Sequence, residues 1–356
     1  MHLRSYRTTL SLQINPNNPS NPRNPGSGLR IIFFGTPEFA AHILREFVRN
    51  GENVVAVVTL PDKLQGRGMK LKPSAVKERA LELAIPVLTP EKHRDPDFLN
   101  MLRAFNADVF VVVAYKILPK EVYEIPRFGT FNIHASLLPK YRGAAPINWA
   151  ILTGETRTGI TTFLLDEKVD TGQMLLQEAI PIGPDETAGE LHDRLMILGA
   201  NVALHTLQGL ASGSLRPVPQ TNEGASPAPK LFPKDCEIDF QRPVLEVHNF
   251  IRGLSFVIAR TDAEAENALS ESRAGAASGA WTTVGKTKLK LLRTTLAEDV
   301  PENLKPGAWG ISPNGKRLFV GAANRALEVL ELQREGKRAM SAEELLRGNR
   351  NLFSPT

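Results

Sequence analysis

Asn132 and His134 stand two residues apart at the end of Thr130-Phe131-Asn132-Ile133-His134, a short β-branched and aromatic run that reads as a strand. Side chains two apart on a strand share a face, so the amide and the imidazole leave the strand's end on the same side. That pairing suits acyl transfer. The Asn can hydrogen-bond an oxyanion as it develops, and the His can donate to it or shuttle a proton. A lone His at a strand end is more often a satisfied structural residue, so its setting has to decide. Further along, Asp166, Glu167 and Asp170 are carboxylates able to fix the tautomer of such a His and favour its imidazolium form. Asp170-Thr171-Gly172 is a good turn on propensity alone. An aspartic-protease reading of it fails for want of a second such triad. The first predicted strand ends in Gly35-Thr36-Pro37 without G-x-G-x-x-G, and no phosphate-binding P-loop pattern occurs, so a dinucleotide or NTP is not what this sheet holds. His192, His205 and His248 have no ligand spacing, and no metal is expected.

The elements that must position these residues alternate in type. Ile31 to Phe34 is a short apolar run, followed by a helix whose apolar stripe is Phe39, Ala40, Ile43, Leu44, Phe47 and Val48, stopped at Asn50-Gly51. Val54 to Thr59 and Val109 to Ala114 read as buried strands. Asp95-Pro96 carries the N-cap and N1 chemistry of a helix start. Continuous strands between amphipathic helices predict an α/β domain with a doubly wound, mostly parallel sheet, which binds ligands beyond the carboxyl ends of its strands. Gly159 to Leu165 and Met174 to Ile180 read as strands joined through the Asp170 turn, and Thr187 to Glu190 as a capping box opening a helix with Leu191, Leu195, Leu198 and Val202. Prolines with Gly, Ser and Ala then mark a linker over 212–233. Beyond it, Trp281 to Leu292, Gly307 to Ile311, Leu318 to Gly321 and Leu327 to Leu330 suggest a smaller, OB-like β-barrel, and Ser341 to Glu344 a capping box for a terminal helix. The expected organisation is an extension over 1–28, an α/β catalytic domain over 29–211, the linker, and a β domain over 234–356.

The chain has 356 residues, 42% apolar and 23% charged, the balance of an ordinary globular protein. One cysteine, Cys236, excludes a disulfide scaffold and a Cys-based zinc site. No apolar run approaches the roughly 20 residues of a membrane span, so no membrane partner is expected. Residues 1–29 hold three arginines, no acid and four Asn-Pro pairs, which block helix and strand alike. The expectation there is a disordered extension or an early start codon. A cytoplasmic protein is expected, with an organelle matrix the alternative if the extension is a transit peptide.

Several separated motifs fall in one order: Asn132-x-His134-x-Ser136-Leu137-Leu138-Pro139, then Tyr141-Arg142-Gly143, then Asp170-Thr171-Gly172. This order resembles the folate-dependent formyltransferase family. The resemblance implies transfer of a formyl group from 10-formyltetrahydrofolate to an amine, with Asn132, His134 and Asp170 as the catalytic set and Ser136, Leu137, Leu138 and Pro139 against the folate. Phe34 to Ala40, Pro61-Asp62, Gly66-Arg67-Gly68, Arg142 to Ile147 and Met340-Ser341-Ala342 are similar to the branch of the family that acts on methionyl-initiator tRNA. One departure is Tyr115-Lys116-Ile117, a residue shorter than the family's Tyr-Gly-Leu-Ile.

Gln65 to Lys72 is a glycine-hinged basic loop at the sheet's carboxyl edge, and Arg67, Lys70 and Lys72 are candidates for gripping an anionic tRNA end. The resemblance gives Arg67 that same role. Lys286, Lys288 and Lys290 alternate along a predicted strand and would form one basic stripe. A charged edge that discourages aggregation is the competing reading. From Lys230 onward 19 basic residues face 16 acidic ones, so clustering rather than net charge carries the idea. The alternatives are a formyltransferase for a small amine, such as glycinamide ribonucleotide or an amino sugar, and an inactive RNA-binding module. The β domain argues against the first and the joint presence of Asn132, His134 and Asp170 against the second. A monomer is the default expectation.

Overall fold

The computed structural model describes residues 26–65, 70–256, 279–301 and 304–353. All but the end of the expected extension, and Arg67, lie outside them. The elements begin with β1 (Arg30–Gly35), α1 (Glu38–Arg49), β2 (Asn53–Val58), β3 (Lys63–Gln65), β4 (Lys70–Lys72), α2 (Ala75–Glu82), β5 (Val87–Leu88) and α3 (Pro96–Ala104). Next come β6 (Val109–Val113), α4 (Lys120–Tyr123), β7 (Thr130–His134), β8 (Arg142–Gly143), α5 (Pro146–Leu152), β9 (Arg157–Leu164), β10 (Met174–Pro181), α6 (Ala188–Ser212) and β11 (Pro227–Ala228). The chain continues as α7 (Val244–Leu254), β12 (Ala280–Val284), β13 (Thr287–Thr295), β14 (Trp309–Ile311), β15 (Leu318–Gly321), β16 (Ala326–Arg334), β17 (Ala339–Ser341) and α8 (Ala342–Asn349). It forms two compact units. The first takes the chain up to Ile133 with Thr162–Glu167 and Ala203–Pro217, and the second takes the remainder, starting at His134.

In the first unit β5, β2, β1, β6 and β7 lie side by side, every pair parallel. The chain runs from β1 outward to β5, then returns to the other side of β1 for β6 and β7. The strand order therefore reverses between β1 and β6, the place where such sheets take ligands. Every residue of β6 is buried, as a central parallel strand requires. One face packs Ile32, Phe34, Val58, Phe110 and Val112 against Phe98 and Leu102 of α3. Helix α1 buries Phe39, Ala40, Ile43, Leu44 and Phe47 of the predicted stripe and leaves Val48 half-buried, and Asp95 caps α3 by accepting the Asp97 N–H at 2.9 Å, with Pro96 in the first turn. Before β1, the Ser27 N–H and hydroxyl donate to the carboxylate of Glu52 at 3.0 and 2.5 Å. Burial raises the pKa of that carboxyl against the pull of these bonds. The basic loop starts and ends as a short antiparallel hairpin, β3 with β4.

The second unit holds β10 beside β9 and a six-stranded antiparallel half-barrel in the order β12-β13-β16-β15-β14, with β17 on β16. The stretch expected as one strand from Trp281 to Leu292 is two, because Gly285 at φ +58° turns the chain back. Helix α7 was not anticipated. Its Val247, Ile251 and Leu254 cover the half-barrel's Leu289, Leu291, Leu318 and Leu332, joined by Leu345 and Leu346 of α8. Asn148 of α5 donates to the Gly253 carbonyl at 2.7 Å and ties α5 to α7. Helix α6 is, against expectation, long and apolar enough by composition to cross a membrane. Yet it buries Leu191, Leu195, Ala203 and Leu207 along one stripe and carries His192, Asp193 and Arg194 in its first turns.

Its capping box forms as predicted, with the Thr187 N–H and hydroxyl both donating to Glu190 at 2.9 Å. Glu190 also accepts from Arg293 of β13. Burial raises the Glu190 pKa, but the bonds from Arg293 and Thr187 outweigh it and hold the carboxyl below its usual range. A lowered folded-state pKa means stability that is present above the carboxylate range and lost as pH falls through the folded-state value. Glu190→Gln should therefore be less stable than wild type by about 1 kcal/mol near pH 7. The gap should narrow as the pH is lowered from 7 to below the usual carboxylate range, toward the point where the wild-type carboxyl is itself protonated. Thermal denaturation of both proteins across that range checks this, and a gap that persists in acid counts against the ion pair.

Candidate active site

Strand β7 has the predicted bounds, and Asn132 and His134 lie on one face of it. Asn132 Oδ1 is buried and has no hydrogen-bond partner among the described residues, and the same is true of Thr36 Oγ1 beyond the carboxyl end of β1. Buried polar atoms without a partner are rare. His134 is 6% exposed. Its Nε2 lies 2.8 Å from the Tyr141 carbonyl oxygen. A carbonyl can only accept, so Nε2 carries the hydrogen and proton exchange falls to Nδ1. The Asp170 Oδ2 is 3.7 Å from Nδ1, beyond hydrogen-bond range. The sequence led to the expectation that a carboxylate would fix the tautomer. Here the Tyr141 carbonyl fixes it, and Asp170 contributes charge beside Nδ1. Asp170, one of the three carboxylates open on sequence, forms this contact.

Asp170 is held by the backbone opposite. Its Oδ2 accepts the Gly143 N–H at 2.8 Å. The conformations that allow this are unusual: Tyr141 has φ +61°, Asp170 φ +55° and Gly143 φ +130°. A Cβ on Gly143 would sit 2.6 Å from the Ala228 carbonyl oxygen, where β8 pairs with β11. Only glycine fits both the angle and the gap. Tyr141 and Gly143 act through main-chain atoms, which leave no side-chain signature, so sequence reasoning assigned neither a role in holding the site.

The Ser136–Pro139 segment turns much of its chemistry inward. The Ser136 hydroxyl donates to the Lys140 carbonyl at 2.7 Å, and Thr161 Oγ1 bridges the Ser136 carbonyl and the Leu138 N–H. Gln177 donates to the Leu138 carbonyl at 3.0 Å. Leu137 and Pro139 face a cavity of about 280 Å³ shared with Lys140, Tyr141, Glu155 and Arg157. There burial pushes the Tyr141 phenol up to about 12. Burial also raises Glu155, but the bonds from Lys140 and Tyr141 prevail and hold it below the usual carboxylate value.

The basic candidates are more scattered than the sequence suggests. Lys288 and Lys290 alternate on β13, and Lys288 Nζ lies 3.8 Å from the centre of the Trp281 ring. Lys286 is in the hairpin turn before the strand, so it is not part of the stripe. Lys70 and Lys72 belong to β4. Among the described residues no group of three His, Cys, Asp or Glu could hold a metal ion.

The model of the Formyl transferase family matches residues 29–207, and that of the Formyl transferase C-terminal domain matches 262–350. The methionyl-tRNA formyltransferase of Porphyromonas gingivalis is 43% identical over 330 residues, 90% of this chain and 95% of its own. That of Bacteroides thetaiotaomicron is 41% identical over 329 residues, 90% of this chain and 96% of its own. The chain belongs to the methionyl-tRNA formyltransferase family. The family's fold recurs in solved structures of low identity. A Helicobacter canadensis N-formyltransferase in complex with folinic acid and dTDP-3-aminofucose superposes with a TM-score of 0.60, at 20% identity over 86% of this chain and 99% of that one.

Gly143→Ala should leave a folded protein with its Tm lowered by several degrees, from a clash worth about 1–3 kcal/mol. Formyl transfer should drop by at least about tenfold, since the N–H that holds Asp170 must move with the clash. Calorimetry and steady-state kinetics on one preparation check both, and unchanged kinetics at lowered Tm would separate Gly143 from the site.

Proposed function

We propose that this protein transfers the formyl group of 10-formyltetrahydrofolate to the amino group of methionyl-initiator tRNA, in the cytoplasm. One observation carries the reading: an identity of 41–43% to methionyl-tRNA formyltransferases that spans 90% of the chain. The arrangement around His134 supplies the chemistry. The acceptor's ammonium must lose a proton before its nitrogen can attack the formyl carbon. His134 Nδ1, with the Asp170 charge beside it, takes that proton. Attack leaves an oxyanion on the formyl oxygen, stabilised by the Asn132 amide and the protonated imidazole. As the C–N10 bond breaks, the imidazolium returns its proton to N10 and the attacking nitrogen gives up its second proton to solvent, leaving tetrahydrofolate and the neutral N-formyl product. The imidazole is thus neutral at the start and end of each turnover.

Ser136, Leu137, Leu138 and Pro139 are assigned to the folate side. Arg67, with Lys70 and Lys72, is assigned to the acceptor end of the tRNA, and Lys288 and Lys290 to its backbone. The domain assignment follows: catalysis in 29–211, a connecting segment over 212–233, and tRNA binding in 234–356. Lys288 over Trp281 supports a nucleic-acid surface, because a cation beside an aromatic face serves phosphate and base alike.

His134→Ala and Asn132→Ala should each cost about 10²–10³ in kcat without unfolding the protein. Transfer of labelled formyl groups to charged initiator tRNA, with free methionine and amino sugars as comparison acceptors, measures this and the acceptor class together. More than about a tenth of wild-type rate in either variant ends the proposed roles. Lys288→Ala should weaken tRNA binding modestly and reduce its salt slope by about one phosphate contact. Titrations at two salt concentrations read the slope, and an unchanged one removes Lys288 from the interface.

A further inference from the structure

Residues 218–228 were expected to be part of a linker. They are laid against the catalytic loops instead. Val218 pairs with Met174 through two backbone hydrogen bonds of 2.8 Å, and Pro227–Ala228 pairs with Arg142–Gly143. Between these anchors stands Gln220, half-buried among exposed neighbours. Its Nε2 donates to the Asp170 carbonyl at 3.0 Å and to the Gly172 carbonyl at 2.8 Å. Its Oε1 accepts from Arg142 Nε at 3.2 Å and Nη2 at 2.7 Å. Arginine only donates and the two carbonyls only accept, so the amide has one possible orientation and uses both its ends.

We infer that Gln220 is a positioning residue for formyl transfer: it locks the left-handed Asp170 turn and thereby sets the carboxylate beside His134. The inference rests on the proposed role of Asp170. Asp170 at φ +55° occupies a conformation that a non-glycine residue keeps only when its surroundings enforce it. The Gly143 N–H holds the carboxylate from one side, and Gln220 holds the main chain on both flanks of Thr171. Arg142 fixes the amide in turn, and is itself fixed by its N–H to the Ser226 carbonyl at 2.9 Å. The connecting segment therefore supplies one of the residues that shape the site, and it does so without touching the reacting atoms.

The test compares Gln220→Ala, Gln220→Glu and Asp170→Asn by kcat, KM for both substrates, and pH–rate profile, on the full-length protein. Gln220→Ala should lower kcat by about 10- to 100-fold, with KM for the folate donor within about twofold of wild type. Its pH–rate profile should be displaced in the same direction as that of Asp170→Asn. Gln220→Glu keeps the partner of Arg142 but turns an acceptor toward the Asp170 and Gly172 carbonyls. It should therefore be no better than Gln220→Ala, although a mere tether to Arg142 would be restored. In the double variant, Gln220→Ala should add little to Asp170→Asn, because once the carboxylate is gone its displacement has nothing further to cost. Wild-type kcat and profile in Gln220→Ala, or full recovery in Gln220→Glu, with Asp170→Asn impaired and shifted, overturns the inference and leaves the site intact. An unshifted Asp170→Asn overturns the reading beneath it.

Discussion

A single main-chain oxygen, that of Tyr141, decides which nitrogen of His134 can exchange a proton. By accepting the Nε2 hydrogen at 2.8 Å it commits the ring to one tautomer, and the neighbouring residues build on that commitment. Arg142 anchors the amide of Gln220, and Gly143 anchors the carboxylate of Asp170. Three consecutive residues thus hold three different parts of the site. Their geometry is fixed by the peptide units that join them, so the parts cannot drift independently. Backbone strain concentrates here for the same reason. Left-handed conformations at Tyr141 and Asp170 each cost on the order of 1–3 kcal/mol, and only over-determined surroundings sustain them.

The α/β architecture explains where this cluster can exist. A parallel sheet spends its faces on core packing, and the carboxyl ends of its strands are where chemistry is left exposed. Strand β7 ends at His134, and the loop beyond it turns back through Ser136–Pro139, whose polar groups are mostly satisfied within the protein. That loop is costly to move, and rigid support is what a proton-transfer geometry requires.

What could be read in advance follows a physical division. Periodicity and capping are local, so β7, the Asp95 cap and the Thr187–Glu190 box stood in the sequence at their observed positions. The alternation of Asn132 and His134 was legible for the same reason. Asp170 was one of three carboxylates until the order of separated motifs singled it out. Helix α7 escaped notice because prolines and glycines before and β signals after it dominated the reading of that region. Gly285 was passed over because Lys286, Lys288 and Lys290 alternate as the residues of one strand would, although Lys286 lies in the turn. The carbonyl of Tyr141 and the amide of Gln220 could not be found at all. The first is present in every residue, and the second bonds groups about fifty positions away within a stretch that has no period.

The clip between Ser27 and Glu52 bears on how the protein can be handled. It seats the chain at the amino ends of β1 and β2, and a Cβ on Gly26 would already press to 2.5 Å from the Gly51 carbonyl oxygen. Anything joined directly to Gly26 would therefore leave over the turn that follows α1, about 20 Å along β1 from the edge where Thr36 lies. A purification tag or fluorescent fusion placed there would project from the floor of the sheet. It would sterically spare its carboxyl edge, provided the two residues of the clip are kept.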